Sequence, residues 1–118
     1  MLYVDAFVWP VLKAREAEYL KWAEIGCTVW IEHGALSYTE CRAENVPDGK
    51  ITSFPMAVKL EPGEIVYFAY ATYRDRAHRD EVNAKFMADP RVQAMMVDPP
   101  ANMQRMIFGG FQTVVTSG

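Results

Sequence analysis

The side chains of this 118-residue chain with the greatest chemical potential are acids, bases and tyrosines set among apolar strand residues, and Asp5 leads them. Residues 2–8 alternate as a strand, which places Tyr3, Asp5, Phe7 and Trp9 in one row and Leu2, Val4, Ala6 and Val8 in the other. A carboxylate in an aromatic row must find a cation or shift its pKa. Two outcomes stay open at this point. In a dry cavity between layers, a raised pKa would suit Asp5 to general-base work. Alternatively, Lys59 or Arg105 on a neighbouring strand holds it in a structural ion pair. Tyr3, Tyr38, Glu40, Tyr70 and Arg105 are expected to line a ligand site, with Tyr38 or Tyr70 assisting Asp5.

The remaining polar groups read more simply. Glu40 and Arg42 share a face with Tyr38, as in a solvated row that protects a strand edge. His33 closes a helix and is expected to cap its carbonyls. His78 is expected at the surface among Arg76 and Arg79. Asn83 and Arg91 are assigned to hydrogen bonds that tie helix ends to loops. Met87, Met95 and Met96 suit gap-filling core or lid positions. Cys27 and Cys41 have no Cys-x-x-Cys spacing, so they are read as two small buried hydrophobes rather than a disulfide or metal pair. No metal and no cofactor is expected. A Gly-rich phosphate loop, Gly-x-Ser-x-Gly and His-Glu-x-x-His are all missing, which argues against nucleotide-transfer and hydrolase chemistry.

A net charge of −3, with Arg74, Arg76 and Arg79 interrupted by Asp75 and Asp80, gives no phosphate-binding stripe, so nucleic acid is not an expected partner. No apolar run approaches the ~20 residues that cross a bilayer, and Asp5 interrupts the N-terminal apolar stretch where a signal peptide would not. A cytoplasmic protein without membrane contact is the expectation.

These residues need elements to hold them. The first strand is expected to stop at Pro10, because proline cannot continue a ladder. Residues 12–33 follow a helical period, with Leu12, Tyr19, Trp22, Ala23, Gly26, Trp30 and His33 in one stripe and Lys21, Glu24, Thr28 and Glu32 opposite. Gly34 reads as a left-handed C-cap, and Gly26 as a close approach to the sheet. Strands are expected over 35–42, 54–60, 65–73 and 105–115, with a turn at Pro47-Asp48-Gly49 and a bulge or close contact at Gly109-Gly110. Asp75 caps a helix to about residue 88, whose inward face is Arg79, Val82, Asn83, Phe86 and Met87. A short helical turn and loop fill 90–104.

Residues 65–73, IVYFAYATY, carry no charge on either row, so this strand should be covered on both faces. With 54–60 as an extra hairpin strand, the order reduces to βαββαβ. This is the ferredoxin-like α+β plan, an antiparallel sheet with both helices on one face. Two helices leave the other face bare, and a second copy packed face to face covers it.

The chain also resembles a small family of uncharacterised bacterial proteins, the YbaA-like family, nearly end to end. The resemblance rests on Tyr3-Val4-Asp5 with Phe7-Val8, Gly34-Ala35-Leu36, Glu40-Cys41 and Val46-Pro47-Asp48-Gly49-Lys50. Phe54 with Met56-Ala57-Val58-Lys59, Arg79-Asp80, Asn83, Asp89-Pro90-Arg91, Arg105-Met106-Ile107 and Gly109-Gly110-Phe111 continue it. It implies a single-domain dimeric α+β barrel, in a superfamily that includes cofactor-free monooxygenases, haem-binding degraders, lactone isomerases and ligand-sensing modules. Three functions follow as expectations. The first is a homodimer binding a small apolar or aromatic molecule, between sheet and helices or between sheets. The second is a cofactor-independent monooxygenase or isomerase using Asp5 as base. The third is an interaction module without chemistry.

Overall fold

The computed structural model describes residues 1–118. In chain order it runs β1 (Tyr3–Leu12), a 3-10 turn (Lys13–Arg15), α1 (Glu16–Glu32), β2 (Ser37–Arg42) and α2 (Phe54–Ala57). It continues with β3 (Glu64–Tyr73), α3 (Arg76–Ala88), α4 (Pro90–Met95), a second 3-10 turn (Met103–Arg105) and β4 (Ile107–Gln112). The four strands form one antiparallel sheet in the order β2-β3-β1-β4. With the long helices α1 and α3, this is the α+β, ferredoxin-like βαββαβ arrangement.

Register assigns the two faces. Asp5 pairs with Ala71 on β3 and Gly110 on β4, and Ala71 pairs in turn with Tyr38 on β2. Cross-strand partners share a face, so Tyr3, Asp5, Phe7 and Trp9 lie with Tyr38, Glu40, Tyr67 and Tyr73. The helices cover this side: Val29 and Trp30 of α1, Val82 and Phe86 of α3, and Val92 and Met95 of α4 pack with Ala71 and Tyr73. Val4, Ala6 and Val8 share the opposite face with Val66, Phe68, Tyr70 and Thr72. There Val58 seals Val8 and Val66 at one end, while Phe68 stays 36% exposed and Tyr70 is half-buried. One chain therefore buries one row of residues 65–73 from Tyr67 onward and covers the other only in part.

Several expectations change. Residues 54–60 form no strand. Ser53 Oγ accepts the Met56 N–H at 3.1 Å, and Pro55 sits in the first turn, so a capped helical turn replaces the extra hairpin strand. Apolar residues at alternate positions imitated a strand there. Nor does β1 stop at Pro10. A residue's N–H and C=O leave a strand on the same side, and the Pro10 carbonyl accepts from Asn102 N at 3.1 Å. Pairing with β4 ends at Val8–Ile107, so the proline's missing donor faces a side with no strand to bond.

Helix α1 begins at Glu16 rather than at Leu12, which ends β1 and is exposed; the stripe is buried at Tyr19, Ala23, Gly26 and Trp30, as its period predicts, and Val29 joins the core. Gly26 approaches Met95 of α4 rather than the sheet, since a Cβ there would lie 3.4 Å from Met95 Cε. Gly34 takes φ +112° after the helix. The Gly109-Gly110 pair sits in regular register without a bulge. Gly110 instead accommodates the Tyr3 ring, whose hydroxyl would lie 2.2 Å from a Cβ.

Cys41 is exposed and Cys27 half-buried, not the buried pair expected. His78 is buried, not exposed, because its Nδ1 accepts the Arg74 N–H at 3.0 Å while its ring packs edge-on against Tyr73. His33 bonds Asp89 at 2.8 Å instead of capping carbonyls, and Arg91 joins the same carboxylate and Glu32. No helix is long and apolar enough to cross a membrane.

Candidate functional site

Between the helix-facing side of the sheet and the helices lies a cavity of about 340 Å³. Strands β1 and β4 supply one wall, with Asp5, Phe7, Trp9 and Phe108. Trp22, Gly26 and Trp30 come from α1, Arg79, Asn83 and Phe86 from α3, and Tyr38 from β2. Twelve of its seventeen lining residues are apolar, so its polar groups are few enough to orient a ligand rather than solvate one. The absence of a side chain at Gly26 helps to leave the space open. Trp30 and Phe86 stack at 3.7 Å between ring centres, nearly parallel, and hold α1 to α3. Met87 and Phe108, 57% and 70% exposed, give the cavity partly open apolar edges.

The polar end is built on Asp5. Asp5 is only 5% exposed, and Arg79 Nη1 donates to its Oδ1 at 2.6 Å. Neither Lys59 nor Arg105 is its partner. Helical period brings Arg79 inward from α3 over β1, while Arg105 leaves the strand region and binds Glu64 at 2.5 Å. Burial raises the Asp5 pKa, and the Arg79 charge opposes the shift without cancelling it. Tyr3 packs its ring 4.9 Å from the Arg79 guanidinium, and its hydroxyl accepts from Nη2 at 3.4 Å. The Tyr73 hydroxyl is buried close enough to Asp5 to influence its titration, yet has no hydrogen-bond partner of good geometry.

A second carboxylate stands behind the Tyr38 wall. Glu40 Oε1 accepts from Tyr38 Oη, and Oε2 from Tyr19 Oη, each at 2.8 Å. Tyr19 Oη in turn accepts Trp9 Nε1–H at 2.6 Å. Glu40 is therefore a half-buried acid that ties two cavity-lining rings, Tyr38 directly and Trp9 through Tyr19. Burial raises its pKa, and the tyrosine hydrogen bonds pull the other way. This row is a half-buried hydrogen-bonded network, not the solvated edge expected. Only Arg42 fits that description, exposed and paired with Glu16 at 2.5 Å.

Of the side chains expected at a site, the fold brings Asp5, Tyr3 and Tyr38 to the cavity or its edge and puts Glu40 behind it. Tyr70 lies on the opposite sheet face, and Arg105 lies outside the cavity. Arg79 and Asn83 are the polar lining residues that sequence assigned elsewhere. The Asn83 side chain makes no hydrogen bond within the chain and faces the cavity rather than tying α3 to a loop. Their placement on the inward stripe of α3 was the available signal: an arginine there requires a buried acid. No group of three or more His, Cys, Asp or Glu is placed to hold a metal ion.

Residues 2–108 match the family model described as "Protein of unknown function (DUF1428)". The uncharacterised protein YbaA of Escherichia coli is 41% identical over 115 residues, 98% of each chain. Among solved structures, SnoaB, a cofactor-independent oxygenase from Streptomyces nogalater, superposes with TM-score 0.65 at 15% identity, covering 98% of this chain and 96% of its own. A nipsnap family protein of unknown function from Agrobacterium tumefaciens gives 0.60 at 18%, covering 98% and 91%. A dimeric ferredoxin-like protein from an uncultured marine organism gives 0.60 at 13%, covering 98% and 99%. At these identities the structural likeness is one of fold.

The Asp5–Arg79 pair makes stability depend on pH. A carboxyl whose folded pKa lies above its unfolded value favours the fold in acid, and that contribution is lost as pH rises through the folded pKa. Arg79→Met removes the attraction that opposes the shift. Its destabilisation should reach about 3 kcal/mol at neutral pH and be clearly smaller near pH 4. Urea denaturation at both pH values checks this, and an equal loss at both would contradict it.

Proposed function

The chain belongs to the DUF1428 family, and we propose that it is a homodimeric binding protein for a small, flat, apolar or aromatic molecule held between sheet and helices. The observation that carries this reading is the cavity itself: about 340 Å³, walled by aromatic and methionine side chains, with Asp5, Arg79 and Asn83 among its few polar groups. Burying an apolar ligand there gains roughly 25 cal/mol per Å² of surface removed from water, and the polar groups would set its orientation. The dimer follows from the open sheet face. Phe68, Tyr70 and Val4 lie there with Ile107 and Phe111, in a sheet that this chain alone covers on one side.

A second reading is favoured by Asp5. Its burial beside the cavity moves its pKa toward the range of a general base, so proton abstraction from an activated carbon is available to a bound substrate. The oxygenase with a similar fold makes cofactor-free chemistry a relevant comparison.

Three outcomes test these readings. N-phenyl-1-naphthylamine, an uncharged dye that brightens in apolar sites, should bind at one per chain. Gly26→Leu should fold, since Met95 Cε is a movable neighbour and glycine costs a helix about 1 kcal/mol, yet bind at least tenfold more weakly. Undiminished binding would place the dye elsewhere. Sedimentation at micromolar concentration should return a dimer, and a stable monomer would refute the face-to-face pairing. If the chain turns over a substrate, Asp5→Asn should slow it by about 10²-fold or more. An unchanged rate would remove the base from the mechanism.

A further inference from the structure

The polar end of the cavity has hydrogen-bonding capacity left over. Asp5 spends Oδ1 on Arg79, and no side-chain donor reaches Oδ2 with good geometry, the unpartnered Tyr73 hydroxyl lying close to the carboxylate. Asn83 lies one helical turn beyond Arg79 on the same face of α3, its amide unpartnered and facing the cavity. Behind Asp5 the buried Tyr73 hydroxyl also lacks a partner. The groups facing Asp5 are thus Tyr3 from its own strand, Tyr73 from β3, and Arg79 with the more distant, exposed Asp80 from α3. β4 contributes only Gly110 opposite it.

Charge selects the ligand group. Among the lining residues the charged pair is Asp5 and Arg79, which cancel. The Arg79 Nε also donates to Asp80 at 2.8 Å outside the cavity, so the guanidinium has no unmatched charge to offer an anion. A cation would meet Arg79 at the same site. What fits is an uncharged group that both donates and accepts, because the free oxygen of Asp5 needs a donor and an Asn83 N–H needs an acceptor. A hydroxyl does both with one atom.

We propose, resting on the cavity reading above, that this end of the cavity is a hydroxyl clamp. It takes a neutral phenolic or enolic O–H on a flat apolar ligand, with Asp5 Oδ2 accepting its hydrogen bond and the Asn83 amide donating to the oxygen. The clamp discriminates against carboxylates, amines and capped ethers of the same ring size.

Four naphthalenes of one shape test it by calorimetric titration near pH 7: 2-naphthol, 2-methoxynaphthalene, 2-naphthoate and 2-naphthylmethylammonium. The naphthol should bind about tenfold or more tightly than the other three, the scale of one hydrogen bond to a charged acceptor. Asp5→Asn should weaken the naphthol and strengthen the naphthoate, since Arg79 is then unneutralised. Asn83→Ala, which leaves the ion pair intact, should weaken the naphthol without helping the naphthoate. Equal affinities, or a preference for the ether or naphthoate in the unaltered protein, would overturn the clamp. So would failure of all four while N-phenyl-1-naphthylamine still binds. Failure of that dye as well would overturn the cavity reading and the clamp together.

Discussion

A buried carboxylate and a guanidinium, 2.6 Å apart, organise the interior of this protein. Asp5 comes from the middle of β1 and Arg79 from the first turns of α3, so the pair spans the gap between sheet and helix layer. Such a pair adds little net stability, because removing two charges from water costs about what their attraction returns. Its consequence is positional. With Arg79 drawn onto β1, Asn83 and Phe86 follow one and two turns along the same helix and face the sheet across a gap. Trp30 and Phe86 close one side by stacking, and the Glu40 carboxylate fixes Tyr38 directly and Trp9 through Tyr19. The result is an interior that is not closed over completely.

Much of this was legible from the chain. The period-2 row containing Asp5, the charge-free run 65–73 within β3, the Asp75 cap and the Gly34 stop each rest on local rules, and the element order follows from them. Residues 54–60 misled because apolar alternation also fits a capped helical turn, and Ser53 with Pro55 carried the distinguishing signal. Pro10 misled because a strand tolerates proline wherever the partner on its donor side has already ended. In both cases the deciding fact was what lay beside the segment, which periodicity does not report.

The site was half legible for the same reason. Asp5 advertised itself as a carboxylate in an aromatic row, but its partner depended on which element crossed above it. Lys59 and Arg105 fit as partners only if both lie on strands beside β1. The structure puts Arg105 on Glu64 and leaves α3 to supply the cation. Tyr70 fell on the wrong face through parity alone: it pairs with Ala6, whereas Asp5 pairs with Ala71. Asn83 was assigned a structural bond because a buried amide normally has one. Its freedom is visible only once the cavity is.

The most direct test of the account is a crystal structure of the protein soaked or co-crystallised with 2-naphthol. The ring should lie in the cavity against Trp30 and Phe86, its hydroxyl oxygen about 2.7 Å from Asp5 Oδ2. A naphthol bound on the open sheet face, or one in the cavity with its hydroxyl turned away from Asp5, would contradict it.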